Sequence, residues 1–252
     1  MTIAKSAIDA FLNRDLAQFD FLKGEEPEEL DAALAELDPP PDFYTQPFIH
    51  QKVMFLVGVY VPEFLYFASM GLGKSKVVLD LFWWYQRAYG FKKMLVLVPN
   101  ISNVFSWEEE IPKHRPELTA LAMGGSSQQR WEMLDHPVEV CALNYQGLVS
   151  MGSRQNPNKG KKSRAWSLDT NSVDEIASHF DFVVFDESQA FKNTQSLTYS
   201  ICRRLAGQLN ARFALTGTPM GRDALDLWGQ FYVIDRGKTL GPNKAIFRVS
   251  FF

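Results

Sequence analysis

Five short apolar runs recur along the chain, and segments with helical spacing of apolar residues separate them. The runs are FLYFA (64–68), MLVLV (94–98), VEVCAL (138–143), FVVF (182–185) and RFALT (212–216). They are too continuous for strands exposed on one face and too short for buried helices. Their alternation with helices predicts an α/β fold with a parallel sheet, helices on both faces and right-handed crossovers. The loops at the carboxyl ends of the strands are then expected to carry the chemistry.

Three helices can be placed from sequence signals at their ends. Apolar residues recur at helical spacing over residues 74–89, and Gly90 is a suitable left-handed stop. A second helix is predicted to begin near Ser172, because Ser172 and Glu175 match the capping-box spacing. Asp223 is predicted to cap a third helix with the sequence DALDLWGQFYVI.

Composition limits the class of protein. The 252 residues are 46% hydrophobic and carry a net charge of −3, so the chain can bury a sizeable core but offers no strong overall field for nucleic acid. Cys141 and Cys202 form no CxxC pair and the four histidines show no ligand spacing, which favours neither disulfides nor a metal cluster. The longest apolar stretch, residues 53–68, contains a proline and a glutamate and is shorter than the roughly 20 residues of a membrane span. We expect a soluble protein, cytoplasmic or, in a eukaryote, nuclear, with no membrane partner.

Charge and proline content divide the chain into an extension and a core. Residues 25–38 carry seven acids and no base, and DPPPDFYTQP (38–47) carries four prolines. We predict an acidic helical extension with its linker over residues 1–41 and one lobe over residues 42–252. The acidic segment is expected either to bind a partner or to form a solvent-exposed helix without a partner.

A glycine-rich segment has the pattern of a phosphate-binding loop. It reads ASMGLGKS from Ala68, follows an apolar strand and precedes a helix. Gly71 and Gly73 allow backbone N–H groups to turn toward phosphate oxygens, and the helix adds its positive end. Lys74 is expected to lie against the β- and γ-phosphates of ATP, and the Ser75 hydroxyl to ligate Mg²⁺. Ala68 stands where the general pattern has glycine, and a structural glycine turn is the alternative.

Two further strand ends carry polar residues suited to nucleotide hydrolysis. In FVVFDESQAFKN, Asp186 is placed to hold Mg²⁺, directly or through water, and Glu187 to polarise the attacking water as general base. The pair Asp186-Glu187 is called the acidic motif below. In RFALTGTPMGR, Thr216 and Thr218 are expected to form hydrogen bonds with the acidic motif and to sense the γ-phosphate. The alternatives are an acidic strand end that caps the next helix and an ordinary surface turn.

The order and spacing of these motifs resemble the superfamily-two helicases and translocases, in particular the Swi/Snf-type DNA-dependent ATPases. ASMGLGKS, LVLVPN, DESQ and LTGTP look like motifs I, Ia, II and III, over about residues 43–250. Three features point to the Swi/Snf branch. They are the sequence MGLGKS in motif I, the KN after DESQ, and the tryptophans Trp107 and Trp228 after motifs Ia and III. The resemblance implies a RecA-like P-loop NTPase sheet as the first motor lobe. Nothing in the chain matches a second RecA-like lobe, which is then expected in the same longer chain or in trans.

The resemblance also implies the roles of individual residues. QPFIHQKVMF looks like the adenine-reading Q element, and the expected ATP contacts are Gln51, Met70, Gly71, Leu72, Gly73, Lys74 and Ser75. The expected catalytic residues are Lys74, Asp186 and Glu187, the Mg²⁺ ligands are Ser75 and Asp186, and the coupling residues are Gln189, Thr216, Gly217 and Thr218. Gln189 replaces the histidine of the DEAH form, and Met220-Gly221-Arg222 replaces a leucine and polar amides. Either departure is expected to alter coupling without abolishing nucleotide binding.

DNA is the partner that the resemblance implies, and duplex DNA is the expected form. LNYQGL resembles a DNA-contacting motif. The backbone N–H groups of loops and helix ends are expected to bind the DNA phosphates. The predicted contacts are Asn100, Ser102, Asn103, Gly124, Asn144, Tyr145, Lys159, Lys161, Lys162 and Arg164. The last four lie in a basic loop predicted near residues 151–170, for which a solvated loop is the alternative. Two other functions stay open: a strand-separating DNA or RNA helicase, and a nucleotide-dependent binding module without motor activity.

Overall fold

A six-stranded parallel sheet forms the centre of the computed structural model, which describes residues 27–156, 165–220 and 223–251. The strands are β1 (Glu63–Phe67), β2 (Met94–Val98), β3 (Ala120–Ala122), β4 (Val140–Asn144), β5 (Ser153–Gln155), β6 (Trp166–Leu168), β7 (Phe182–Asp186) and β8 (Ala211–Thr216). The sheet order is β1-β8-β7-β2-β4-β3, and all its pairings are parallel. β5 and β6 form a separate antiparallel hairpin.

Helices cover both faces of the sheet. They are α1 (Pro27–Ala35), α2 (Ile49–Tyr60), α3 (Lys74–Tyr89), α4 (Ile101–His114), α5 (Ser127–Met133), α6 (Tyr145–Met151), α7 (Thr170–Ser178), α8 (Leu197–Ala206), α9 (Leu225–Asp235) and α10 (Lys244–Phe251). One apolar core lies between the sheet and α1–α4, and a second lies between the sheet and α6–α9. Within the described ranges, every helix is too short or too polar to span a bilayer.

The alternation of side chains along β2 shows why the strand sequences are continuously apolar. Met94, Val96 and Val98 pack in the first core, whereas Leu95 and Leu97 pack in the second. Because successive residues of a strand point to opposite faces, a strand covered on both faces needs an apolar residue at every position.

All five strands predicted from apolar runs are present, within two residues of their predicted bounds. The sequence reasoning missed β3, which has three residues, and the β5–β6 hairpin. The hairpin flanks the predicted basic loop. The loop residues Lys159, Lys161, Lys162 and Arg164 lie outside the described residues, as does Gly221-Arg222.

The predicted helix ends agree with the structure in two cases out of three. Helix α3 has the predicted bounds and ends at Gly90, which adopts a φ of 73°. The Asp223 carboxylate accepts the N–H of Leu225, the first residue of α9, at 2.9 Å, which supports the predicted cap although Ala224 lies between the two residues. The helix predicted near Ser172 is present as α7, which begins two residues earlier at Thr170, but the predicted cap is wrong because Asp169 caps the helix. The Asp169 carboxylate accepts first-turn N–H groups, which places Ser172 inside the helix.

The proline-rich segment predicted as a linker is attached to the lobe. Its backbone carbonyl groups at Pro39 and Pro40 accept hydrogen bonds from Trp84 Nε1 at 2.7 Å and Arg87 Nη1 at 3.2 Å, both on α3. Leu30 of α1 is buried in the first core. Residues 27–42 therefore pack on the lobe that they precede, while residues 1–26 lie outside the described residues. A division of the chain after residue 41 stays a prediction.

A buried ionic cluster holds this segment, α3 and the end of α4 together. The Asp80 carboxylate, 2% exposed, accepts hydrogen bonds from Lys76 Nζ at 2.5 Å and from Arg115 Nε at 2.8 Å. Arg115, 1% exposed, also donates to the Asp42 carbonyl oxygen. Asp80 is therefore the anionic partner of two buried cations. A buried charge without a partner costs several kcal/mol, so the cluster depends on this carboxylate.

We predict that Asp80→Ala lowers the free energy of unfolding by about 3–5 kcal/mol, because it leaves two buried cations unpaired. Urea unfolding followed by circular dichroism would measure the change. The control is Asp174→Ala, which breaks the exposed ion pair of Asp174 with Arg204 and should leave the urea midpoint nearly unchanged. A loss below about 1 kcal/mol for Asp80→Ala would show that the cluster does not carry this stability.

Candidate active site

Three loops meet at the carboxyl edge of the sheet, after β1, β7 and β8. The parallel register pairs Phe67 of β1 with Thr216 of β8, and Asp186 of β7 with Leu215 of β8. The first residue of the glycine-rich loop, Ala68, donates its N–H to the Thr216 carbonyl at 3.3 Å. The strands therefore end at one level, and the three predicted motifs lie side by side.

Both glycines of the glycine-rich loop have left-handed backbone conformations. Gly71 and Gly73 adopt φ angles of 81° and 71°, a region that is unfavourable for residues with a Cβ. Lys74 Nζ lies over the loop and donates to the carbonyl oxygens of Ala68 at 2.7 Å and Ser69 at 3.1 Å. An ammonium has three N–H donors, so one remains for a ligand. Helix α3 begins at Lys74, which directs its positive end at the loop.

Gln51 links the Q-like segment to the glycine-rich loop. Its Oε1 accepts the Phe48 N–H at 3.0 Å, and its Nε2 donates to the Leu72 carbonyl at 3.2 Å. His50 Nε2 lies 3.0 Å from the same carbonyl oxygen. A Cβ placed on Gly73 would lie 2.2 Å from Gln51 Nε2, so the Gln51 amide would have to leave its present position. One N–H and one lone pair of the Gln51 amide remain for a ligand, and its role in adenine recognition stays a prediction.

Asp186 receives hydrogen bonds from two other elements. Its Oδ2 accepts the indole N–H of Trp107 at 3.0 Å, and its backbone oxygen accepts the hydroxyl of Tyr145 at 2.9 Å. Burial raises the pKa of the Asp186 carboxyl, the Trp107 hydrogen bond lowers it, and the charge of Glu187 raises it. A carboxylate in this environment is stabilised by a nearby cation.

A hydrogen-bonded chain connects the acidic motif to the loop after β8. Gln189 Nε2 donates to Glu187 Oε2 at 2.9 Å, and the Thr216 hydroxyl donates to Gln189 Oε1 at 2.8 Å. The Thr218 N–H donates to the Thr216 hydroxyl oxygen at 3.0 Å. Gly217 lies against the glycine-rich loop, since a Cβ there would be 3.5 Å from the Ala68 carbonyl oxygen. The predicted coupling residues are therefore adjacent, and their role in sensing phosphate stays a prediction.

Gln230 is a residue that sequence reasoning missed. It is fully buried on α9, where its Oε1 accepts the Ser188 hydroxyl at 2.7 Å and its Nε2 donates to the Pro219 carbonyl at 2.7 Å. It thus joins the acidic motif to the loop after β8. A polar residue on the apolar side of a predicted helix was the available signal, because a buried amide needs partners.

The predicted DNA contacts that fall within the described residues follow β2, β3 and β4 at the same edge of the sheet. Asn100 caps α4 and Asn144 caps α6, each through its side-chain oxygen, and Gly124 follows β3. Ser102 is exposed in the first turn of α4. The Tyr145 side chain is 4% exposed and its hydroxyl donates to the Asp186 backbone oxygen, which is an internal contact. The predicted phosphate contact of the N–H groups near Tyr145 stays a prediction.

Comparison with known proteins assigns the family. The family model described as the SNF2-related domain matches residues 60–244. The chain belongs to this family. The SNF2-related domain thus contains all three loops of the site and the Trp107 and Gln230 contacts, while the Q-like segment precedes the matched range. The family assignment confirms the resemblance inferred from motifs I, Ia, II and III.

Two curated relatives show the extent of the similarity. The chain is 28% identical over 161 residues to the ATP-dependent helicase BRM of Arabidopsis thaliana. The aligned region covers 64% of this chain and 6% of that protein. It is 27% identical over 164 residues to the uncharacterized ATP-dependent helicase MG018 of Mycoplasma genitalium. The aligned region covers 65% of this chain and 14% of that protein. The matches therefore span a small part of these relatives.

Two solved structures share the fold of this SNF2-related domain. The Sulfolobus solfataricus SWI2/SNF2 ATPase core in complex with dsDNA aligns with a TM-score of 0.61 and 20% identity, covering 84% of this chain and 40% of that one. The Pyrococcus furiosus Hef helicase domain aligns with a TM-score of 0.53 and 20% identity, covering 75% and 36%. These likenesses confirm the predicted RecA-like α/β fold.

We predict that Gly73→Ala weakens the binding of a fluorescent ATP analogue about tenfold more than Gly71→Ala does. Both glycines have positive φ, so both substitutions strain the backbone, but only a Cβ at Gly73 displaces Gln51. The difference corresponds to about one hydrogen bond, or 1.4 kcal/mol. Equal affinities of the two variants would show that the contact of Gln51 with the loop does not support nucleotide binding.

Proposed function

We propose that this chain is the ATP-binding lobe of a DNA-dependent ATPase motor that couples ATP hydrolysis to movement on duplex DNA. The observation that carries the proposal is the hydrogen-bonded contact among the loops after β1, β7 and β8. A phosphate-binding loop, a partly buried acidic pair and a hydroxyl that reaches the acidic motif are the parts that such chemistry needs. BRM is named an ATP-dependent helicase, and the archaeal SWI2/SNF2 core was solved with dsDNA, which supports the same assignment.

The loop residues are suited to hold Mg-ATP. In our proposal, the backbone N–H groups around Gly71 and Gly73 and the Lys74 ammonium bind the phosphates. Ser75 and Asp186 supply oxygen ligands, which Mg²⁺ prefers, and Mg²⁺ neutralises phosphate charge when it is bound. In this proposal, Ser75 and Asp186 would share the ion with the nucleotide.

Glu187 is the proposed general base. Gln189 donates to one oxygen of its carboxylate and so fixes the orientation of the group. In this position Glu187 would take the proton from the water that attacks the γ-phosphate. Thr216, bonded to Gln189, would then transmit the state of the site to the loop after β8.

DNA is the proposed partner of the edge formed by the ends of β2, β3 and β4. Exposed N-terminal turns of helices offer N–H groups that bind phosphates without reading sequence. Asn100, Ser102, Asn103, Gly124 and Asn144 are placed there, and the basic loop outside the described residues would add electrostatic affinity. A second RecA-like lobe is the proposed protein partner. An unwinding assay beside a duplex-translocation assay would separate a translocase from a strand-separating helicase.

We predict that Lys74→Ala abolishes ATP binding while the circular dichroism spectrum stays unchanged, because the substitution removes the cation over the phosphate loop. Lys92→Ala is the matched control, since Lys92 is exposed and lies outside the site. Isothermal titration with Mg-ATP would measure both. An affinity of Lys74→Ala within about twofold of wild type, less than 0.5 kcal/mol, would remove Lys74 from the site.

We predict that residues 1–252 bind Mg-ATP but hydrolyse it very slowly, with little stimulation by DNA. Arginines supplied by a second element, here the proposed second lobe, can contribute 10³–10⁵ in turnover. A cognate second lobe, fused or in trans, should raise the rate and its DNA dependence, and Glu187→Gln should abolish the gain. DNA-stimulated turnover of about 1 s⁻¹ by the single chain would show that it completes its own site.

A further inference from the structure

A polar cleft of about 630 Å³ lies between α8, α9 and the strand β6. Three arginines line it: Arg203 and Arg204 in the last turn of α8, and Arg236 at the end of α9. Among the described residues, none from the three loops of the nucleotide site lines this cleft. The arginine cleft is therefore a separate candidate site.

The arginine cleft lies toward the edge of the sheet opposite to the nucleotide loops. Arg212, the second residue of β8, donates from Nε to the Ile234 carbonyl of α9 at 2.7 Å. Its Nη1 donates to the carbonyl of Leu209, which follows α8, at 3.0 Å. The ends of α8 and α9 thus lie at the amino end of β8, whereas the nucleotide loops and the proposed DNA contacts follow the carboxyl ends of the strands.

One arginine of the cleft already binds a carboxylate. Arg204 Nε donates to Asp174 Oδ1 at 2.6 Å, and Arg204 Nη2 donates to the other oxygen of the same group. Gln208 Nε2 donates to Asp174 Oδ1 at 2.6 Å. A guanidinium that binds both oxygens in this way matches the planar geometry of a carboxylate. The cleft therefore contains an internal example of carboxylate recognition.

The other two arginines of the cleft carry unpaired charges. Arg203 and Arg236 are exposed, and in the part of the chain that the structure describes neither guanidinium forms an ion pair with an acid. The Arg203 guanidinium lies 6.0 Å from the centre of the Tyr199 ring. Burial raises the pKa of the Tyr199 hydroxyl to about 12, while the charges of Arg203 and Arg236 act in the opposite direction. Two unpaired cations near one side chain favour the binding of an anion.

The backbone of Arg236 adopts a conformation that is unfavourable for an arginine. Its φ is 61°, in the left-handed region where helix ends usually have glycine or asparagine. The Arg236 guanidinium also lies across the end of α8, because a Cβ on Gly207 would be 1.4 Å from Arg236 Nη2. Strained residues occur preferentially at ligand sites. The conformation of Arg236 is therefore a second, independent indication that its guanidinium has a ligand.

We propose that Arg203 and Arg236 bind carboxylates of an acidic polypeptide segment in a partner protein. Charge complementarity and the Arg204–Asp174 pair in the same cleft support a ligand of this chemistry. Since the proposed DNA contacts lie at the other edge of the sheet, a protein segment is the ligand that we infer. The proposal does not depend on the binding of nucleotide or DNA.

A structural role for the arginines makes a different prediction. Cations at the carboxyl ends of α8 and α9 complement the partial negative charge of the helix ends. If this were their only role, removal of either cation would lower the melting temperature and leave the binding of acidic peptides unchanged.

The test measures the binding of a fluorescein-labelled octaglutamate peptide to the full chain by fluorescence anisotropy at low ionic strength. We expect Arg203→Gln and Arg236→Asn each to weaken binding about fivefold, the upper range for one exposed ion pair. Arg248→Gln is the matched control, because it removes one exposed arginine on α10 and should keep the wild-type affinity. Octaglutamine should not bind.

Two features of the variants separate binding from folding. Asparagine tolerates the left-handed region, so Arg236→Asn should melt at or above the wild-type temperature while it loses affinity for the peptide. Gly207→Ala keeps every charge and has a φ of −68° that alanine adopts, but it displaces the Arg236 guanidinium. We expect Gly207→Ala to weaken octaglutamate binding as Arg236→Asn does.

The outcomes that would overturn the inference are distinct from those for the proposed function. Wild-type affinity for octaglutamate in Arg203→Gln and Arg236→Asn would overturn it. An equal loss of affinity for a short duplex DNA in these variants would also overturn it, because the cleft would then bind nucleic-acid phosphates. In wild type, the backbone amide NMR signals of Gly207 and Arg236 should shift with octaglutamate, and unshifted signals would contradict the inference. Failure to bind Mg-ATP would overturn the proposed function alone.

Discussion

Parallel pairing of β8 with β1 on one side and β7 on the other places the three loops of the site in contact. The register ends the strands at one level, so the loops need only short side chains and backbone groups to reach each other. The register is in turn fixed by burial on both faces, because a slip of one residue would exchange the side chains of the two apolar cores. The chemistry of the site thus depends on the packing of strands that carry no catalytic residue until their last position.

The turn after β7, which contains Glu187, has an unfavourable backbone conformation that is stabilised by contacts of neighbouring residues. Glu187 has a φ of 51°, a left-handed conformation that costs a residue with a side chain about 1–3 kcal/mol. The following turn is held in place by buried groups, because Ser188 donates to Gln230 and Phe191 is fully buried. Asp186 and Glu187 consequently diverge, one toward Trp107 and the other toward Gln189, although they are adjacent in sequence.

The sequence was informative where a residue's role depends on its neighbours along the chain. Continuous apolar runs predicted five strands, and Gly73 and Gly90 have the left-handed conformations that the loop and the helix end require. It was uninformative where the role depends on tertiary packing. The burial of Tyr145 and the two contacts of Gln230 join segments more than ten residues apart, and β3 is too short to leave a pattern. The cap of α7 was missed because Asp169 and Ser172 compete as caps within four residues.

The glutamine of DESQ suits the position between the acidic pair and the loop after β8. A carboxylate oxygen accepts hydrogen bonds, so Glu187 fixes the Gln189 amide with its nitrogen toward the acid, which leaves its oxygen for the Thr216 hydroxyl. A histidine at this position can also donate from one ring nitrogen and accept at the other, but only in its neutral form. Its protonation would turn the acceptor for Thr216 into a donor near neutral pH. The amide does not titrate, and the contact between the acidic motif and Thr216 therefore keeps one polarity across that pH range.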